Sequence, residues 1–352
     1  VNVALLHEDP AGCREGDAAD VIVQRDAVAA WLTAAGHHVS PIACSLDLSR
    51  ARAELLEPRC DVVFNLVEAL GGTDRLMPLA ALLVEALGLP MTGFPAAAIE
   101  ATTNKVAAKA TLTTAHVPVP PRLDVTPEDG LAFPCRGIVK AIWEHASFGM
   151  SDTAVVELES AAAARDQVHR AHLRTGVPHL CEAFIEGREF NLSMLEGSDG
   201  LPRVLAPAEI TFDDLPAGQP TIVGHRAKWD PASVEWKATP RRFDFPPADD
   251  ALLRQLTALA ERCWHVVGAR GYARVDFRVD PTGHPFVLEV NANPCLSPDA
   301  GFMAAAARSD IAPPRVVARL VDAALRGVDP PTTSPPPISS EAPRVPHPPH
   351  PR

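Results

Sequence analysis

At 352 residues the chain has room for two or three modules and an ample core. Its formal net charge of -12 weighs against nucleic acid or an acidic membrane surface as partner, and no apolar run nears membrane-spanning length. Seven cysteines, odd in number and without a Cys-x-x-Cys pair, suit reduced thiols in a cytoplasm better than a disulfide or zinc framework.

Residues 1–6 read as a first strand, without the basic flank and length of a signal peptide. Residues 17–35 read as an amphipathic helix ended by Gly36, 38–44 as a second strand, and 61–67 as a third, followed by Gly71-Gly72. A helix over 75–87 is stopped by Gly88, and 90–93 reads as a short strand or turn. Strands alternating with helices predict a parallel α/β sheet covered on both faces, whose ligands gather beyond the carboxyl ends of the strands. Those ends offer Glu8, Asp9, Asn65 and Glu68.

A helix over 104–115 follows, with Thr103 or Thr102 as its cap, and prolines over 118–121 mark a module joint. Residues 137–142 form a strand running into a loop over 144–150. A strand over 154–157, an Ala-rich helix over 160–175 and a strand-turn-strand over 179–193 complete a small α+β unit. The last module includes a helix over 249–267. Beyond Gly327, ten of the 25 residues are Pro with almost nothing to bury, which reads as a disordered tail and, before a ligand for a proline-recognising partner, an inert one. The expected modules are 1–103, 104–189 and 190–327, with the tail at 328–352.

Residues 274–291 carry the most information. Two alternating runs flank Pro281-Thr282-Gly283, the pattern of an antiparallel hairpin. Arg274, Asp276 and Arg278 share one face, and Glu289 and Asn291 share a face of the partner strand. With a loop over 281–284, Asp276 lies opposite Glu289 and Arg274 opposite Asn291. Opposed carboxylates repel, so a cation between them is favoured, and an Asp, Glu and Asn set suits a hard ion such as Mg²⁺. The alternative on these residues alone is a solvated strand face followed by an ordinary Asn-x-Asn-Pro turn. The thirteen histidines, His37-His38 among them, show no metal-binding spacing.

In this order, Lys105, Lys140, a small-residue loop to Gly149, Glu182 with Ile185, Glu189, Ala227-Lys228-Trp229, Arg274-Val275-Asp276 and Glu289-Val290-Asn291 resemble the ATP-grasp superfamily, and within it the D-alanine–D-alanine ligase-like branch. The resemblance runs from Val1 to about Leu325. It implies three subdomains: an N-terminal parallel-sheet module, a central lid and a C-terminal catalytic module. It further implies an ATP-dependent carboxylate–amine ligase that forms a peptide or amide bond through an acyl phosphate, on small-molecule substrates. Lys105 and Lys140 would meet the ATP phosphates, and Ser147 and Gly149 belong to the loop folded over them. Glu182 and the backbone at Ile185 would bind the adenine edge, Phe184 its face and Glu189 the ribose. Asp276, Glu289 and Asn291 would hold two Mg²⁺ ions, with Mn²⁺ as the substitute and Glu289 as the bridge. Arg274 would stabilise the tetrahedral intermediate, and Lys228 would reach a substrate carboxylate or the transferring phosphate. Outside that order, Lys140 and Lys228 read as surface cations, and Phe184 and Ile185 as strand packing. Family members are often dimers through the first module, but no patch in this sequence demands a homodimer.

Departures from the family pattern gather on the substrate side, where Glu8, Glu68, Ser297 and Asp299 are the candidate contacts. The Gly-Gly-x-Ser-x-Glu loop is replaced by His7-Glu8-Asp9-Pro10-Ala11-Gly12, and the Glu-Gly-Ser-Ser loop becomes Glu144-His145-Ala146-Ser147. A histidine becomes Glu68, a glycine aligns with Cys295, and the Ser-His-Ser stretch that receives the second substrate's carboxylate becomes Pro298-Asp299-Ala300. These changes predict substrates other than two D-alanines, with Ala300 beside Asp299 favouring a cationic or hydroxylated amine. The readings from other classes are an ATP-binding regulatory or assembly module without turnover, and an ATP-grasp enzyme acting on non-amino-acid carboxylates.

Overall fold

The computed structural model describes residues 1–327 apart from 15–16, 58–59, 126–132, 146–147, 217 and 231. The expectations for Ser147 and for the tail at 328–352 lie outside the described residues. Strands β1 (Asn2–Glu8), β2 (His38–Cys44) and β3 (Val62–Asn65) form a parallel sheet in the order β2-β1-β3. Strands β1 and β3 are apolar on both faces, as two covering layers require. Val3, Leu5 and Phe64 pack on Val28 and Leu32 of α1 (Asp17–Ala34). Ala4, Leu6 and Val63 pack on Ala51 and Leu55 of α2 (Leu48–Leu56) and on Ala80 and Val84 of α3 (Pro78–Ala86). The helix expected from residue 75 begins later because Pro78, which has no N–H to give, sits at its first position after a 3-10 turn over Asp74–Leu76.

Helices α4 (Ala96–Thr103) and α5 (Lys105–Thr114) meet at Asn104. The cap of α5 is Asn104 rather than Thr102 or Thr103: its Oδ1 accepts from the N–H groups of Val106 at 3.0 Å and Ala107 at 3.1 Å. The two threonines end α4, their hydroxyls donating to the Ala98 and Ile99 carbonyls.

Strands β4 (Cys135–Ala141), β5 (Val155–Leu158) and β6 (His179–Ala183) make an antiparallel sheet in the order β5-β4-β6. Val139, Leu158 and Cys181 bury one face against Ala164 and Ala171 of α6 (Ala161–Thr175). Alternation leaves Ile138, Lys140, Leu180 and Glu182 on the opposite face.

The largest sheet is built from β7 (Arg188–Glu196), β8 (Pro202–Val204), β9 (Ala208–Ile210), β10 (Arg241–Arg242), β11 (Tyr272–Val279) and β12 (Pro285–Asn291). Its order is β10-β9-β7-β11-β12, with β8 on β7, so Glu189 belongs to this sheet. Two short helices, α7 (His225–Trp229) and α8 (Val234–Lys237), precede β10. Phe190, Leu192, Val275 and Phe277 pack on Leu256, Ala260 and Trp264 of α9 (Asp250–Val266). The other face is polar until Leu195 and Tyr272, where α10 (Gly301–Arg308) and α11 (Pro313–Arg326) pack. Val316 and Leu320 of α11 share that core with Val3, Leu5 and Phe64, joining the last helix to the first sheet. Among the described residues no helix is long and apolar enough to cross a membrane.

Candidate active site

Across β11 and β12, Asp276 opposes Glu289 and Arg274 opposes Asn291, the register expected from the sequence. A bulge follows Asp276, so Phe277 pairs with Val287. Arg274 forks onto Asp276, with Nε 2.7 Å from Oδ1 and Nη2 2.8 Å from Oδ2, and Asn191 Nδ2 donates to Asp276 Oδ1 at 2.8 Å. Burial works to raise both opposed carboxyls. In Asp276 burial, with Glu289 adding to it, prevails over Arg274, and its pKa is raised. In Glu289 the reverse holds: His145 at 3.7 Å, Lys105 and Arg274 keep the carboxyl well below its ordinary range. Burial opposes the charge of Arg274, but Asp276 outweighs it and secures the guanidinium as a cation.

Asp276, Glu289 and Asn291 offer oxygen donors. Among the described residues no group of three or more His, Cys, Asp or Glu side chains forms a metal cage. The oxygen donors themselves are of the kind a hard ion such as Mg²⁺ takes, with water and phosphate oxygens in its remaining positions. The Nδ1 of His145 is buried without a hydrogen-bond partner beside the same carboxylate.

Lys140, on the face of the β4–β6 sheet turned away from α6, is near enough to Glu189 to favour the charge of its carboxyl. Glu182 is fully buried and receives both Lys109 and Lys140. Burial tends to raise its pKa, but the two ammonium groups more than offset this and hold it ionised. Burial lowers Lys109 to about 8 against the pull of Glu182. Lys105, one turn earlier in α5, is also buried, and its Nζ donates to the Glu144 carbonyl at 2.6 Å. The Glu144 side chain is held by Arg14, by Thr73 Oγ1 at 2.8 Å and by the Asp74 N–H at 3.4 Å. The first residues of the loop over 144–150 are thereby tied to the N-terminal module, and Gly149 turns it with φ +66°.

Glu189 pairs with Arg278 at 2.9 Å, and Arg278 Nη1 also donates to the Gly187 carbonyl at 3.1 Å. Phe184 is buried, with the guanidinium groups of Arg136 and Arg278 at 4.9 and 5.6 Å from its ring centre. Ile185 is half-buried next to it.

At the carboxyl end of the first sheet, Glu8 of β1 accepts from the Ala69 N–H and from Cys13 Sγ. It also borders a cavity of about 230 Å³ lined in part by Asp9, Ser45, Asp47 and Gly71. Gln24 Nε2 donates to Glu68 at 3.2 Å; burial raises the Glu68 carboxyl to about 8, with Lys228 pulling the other way. Lys228 is exposed on α7. Burial, with Glu68 and Asp20 nearby, pushes the Cys295 thiol up to about 12, which leaves it neutral. Ser297 is turned inward and donates to Asp20 at 3.1 Å, and Asp299 is exposed.

The family model described as "D-ala D-ala ligase C-terminus" matches residues 105–322. The D-alanine–D-alanine ligase of Moorella thermoacetica is 30% identical over 92% of this chain and 99% of its own length. The chain belongs to the D-alanine–D-alanine ligase family. As a member it is an ATP-dependent ligase of carbon–nitrogen bonds. The D-alanine–D-alanine ligase of Methylococcus capsulatus is 32% identical over 70% of this chain and 72% of its own. The D-alanine–D-alanine ligase of Bacillus anthracis, in a crystal structure complexed with ATP, has the same ATP-grasp fold: TM-score 0.67, covering 93% of this chain and 98% of that one at 17% identity.

Within this ligase several site residues escaped the sequence reading. Lys109 lies four residues after Lys105, hence on the same face of α5, and that spacing was the available signal. Asn191 lies two residues after Glu189 and so shares its face. Arg14 and Asp74 reach Glu144 and His145 across 71 to 130 residues, and no local pattern announces such contacts.

Proposed function

We propose that this ligase primes a carboxylic acid as an acyl phosphate and condenses it with an amine, on a substrate pair other than two D-alanines. Bound ATP with Mg²⁺ would supply the phosphoryl group and offset the charge that develops during its transfer. Asp276, Glu289 and Asn291 would hold the ions, which would offset phosphate charge there. Lys105 and Lys140 flank the phosphates under the loop that ends at Gly149. Glu182 and the backbone at Ile185 meet the adenine edge, Phe184 its face and Glu189 the ribose. Arg274, buried and permanently charged, stabilises the oxyanion that forms when the amine attacks. Lys228 neutralises a substrate carboxylate or the moving phosphate.

The observation that carries this reading is the pairing of Asp276 with Glu289 beside Arg274, on a polar face where Lys140 of the β4–β6 sheet comes near Glu189. An altered substrate pair is supported by Pro298-Asp299-Ala300, which stands where the family pattern has Ser-His-Ser in the second-substrate segment. The test is ADP and phosphate release by the purified chain against a panel of acids and amines. We expect release that requires both an acid and an amine and is highest for a pair other than two D-alanines. Activity confined to D-alanine would refute the altered-substrate reading. Nucleotide binding without turnover on any pair would refute ligation.

A further inference from the structure

His145 stands where the family pattern has a glycine, so its imidazole is an addition at this point of the loop. The backbone that carries it is tied down from distant elements. Its own N–H donates to Asp74 Oδ2 at 2.5 Å, and the Glu144 side chain is gripped by Arg14 and by Thr73 Oγ1 at 2.8 Å. From α5, Lys105 Nζ donates to the Glu144 carbonyl at 2.6 Å. These contacts set where the imidazole stands, which is against Glu289 of β12.

His145 Nδ1 lies 3.7 Å from Glu289 Oε2, too far for a hydrogen bond, and this buried nitrogen has no other hydrogen-bond partner. Buried polar atoms are seldom left unmatched, and one that is marks a place where a ligand is received. The gap suits an ion. Two metal–ligand bonds of about 2.1 Å reach about 4.2 Å end to end, so one divalent ion can touch both atoms.

Asp276 has little left to give such an ion. Arg274 Nε, Arg274 Nη2 and Asn191 Nδ2 take three of the roughly four acceptor positions of its carboxylate. Among the described residues no three His, Cys, Asp or Glu side chains stand ready as a cage, so phosphate and water must fill most positions. Beside Glu289 the loop over 144–150 supplies one further donor, and it is a nitrogen. Mg²⁺ prefers oxygen surroundings, whereas imidazole favours transition ions, of which Mn²⁺ also keeps the oxygen donors.

We propose that His145 Nδ1 is a ligand to the divalent ion held by Glu289 and tilts this site from Mg²⁺ toward Mn²⁺. The inference rests on the ion-site reading above and adds a protein nitrogen to it.

The test uses the full chain with a non-hydrolysable ATP analogue and Mn²⁺ as the probe. Wild type is compared with His145→Gly and with His169→Gln, a control exposed on α6. Pulsed electron paramagnetic resonance reads nitrogen coupled to the bound Mn²⁺ without turnover, and ¹⁵N-histidine labelling separates imidazole from adenine nitrogen. We expect a coupling that shifts on labelling in wild type and His169→Gln and is absent from His145→Gly. Calorimetry of the analogue with saturating Mn²⁺ or Mg²⁺ should show the preference for Mn²⁺ falling about tenfold in His145→Gly, the scale of one lost contact at a metal site. Mn²⁺ bound without histidine coupling in wild type, or a coupling kept by His145→Gly, would overturn the proposal and leave the carboxylate site standing. Failure of both Mn²⁺ and Mg²⁺ to bind with the analogue would overturn the two together. The labelled wild type carries the decisive signal, so the outcome does not hang on the variant folding.

Discussion

Glu289 is the residue on which the site's electrostatics turn. It is held ionised by His145, Lys105 and Arg274, while Asp276 opposite is pushed toward its neutral form. Glu289→Gln keeps the volume and removes the charge. It should lower turnover by a hundredfold or more, on the order of one lost transition-state electrostatic contact, without changing the far-ultraviolet circular dichroism. Near-normal turnover in Mg²⁺ would show that the carboxylate holds no essential ion. Glu68 sets a pH dependence of different origin. Its folded-state pKa, about 8, lies above the ordinary value of 4.5 because of burial. The folded chain therefore keeps a proton that the unfolded chain releases, and the resulting stability is complete below about pH 4.5 and lost as pH rises through 8. Melting temperatures between pH 6 and 9 should fall less steeply for Glu68→Gln than for the wild type; parallel curves would mean that Glu68 is ionised at neutral pH. At this scale the sequence was legible where one strand or one helix sets the spacing, as for Arg274, Asp276, Glu289 and Asn291. It was silent on Arg14 and Asp74, which reach Glu144 and His145 from distant elements.

Among the elements, the turn between β6 and β7 does more than join two sheets. Gly187 has φ +120°, and a Cβ there would collide with the Val279 carbonyl, while its own carbonyl anchors Arg278 beside Glu189. Gly187→Ala should destabilise the chain by about 2 kcal/mol or more, through a backbone region that L side chains rarely adopt, and should raise the ATP KM. Urea titration and steady-state kinetics check both, and an unchanged midpoint would mean that the turn relaxes freely. Strand β2 and helix α6, with its Ser160 cap and Gly176 stop, match the expected elements closely because hydrophobic period, cap and terminator coincide there. Helix α2 and helix α4 were missed. The first follows its strand after only three residues, and the second is a short Ala-rich run ending in two threonines, a weak helical pattern that tertiary packing stabilises.

The whole molecule joins a parallel three-stranded sheet, a small antiparallel sheet and a larger antiparallel one. Alternating strand and helix patterns made the first sheet legible, and the hairpin with its motif order made the last one legible. The closure of the fold by α11 against the first sheet, through Val316 and Leu320, depends on contacts some 250 residues or more apart in the chain and could not be read locally. The central claim is that the candidate site primes an acid by phosphorylation before an amine attacks. In that sequence one carboxylate oxygen passes to phosphate: ATP phosphorylates the carboxylate, and the amine then expels phosphate that carries the former carboxylate oxygen. The most direct measurement supplies the preferred acid with ¹⁸O in its carboxylate and analyses the released phosphate by mass spectrometry. The account predicts one ¹⁸O in each phosphate formed with product; product formed with unlabelled phosphate would contradict it.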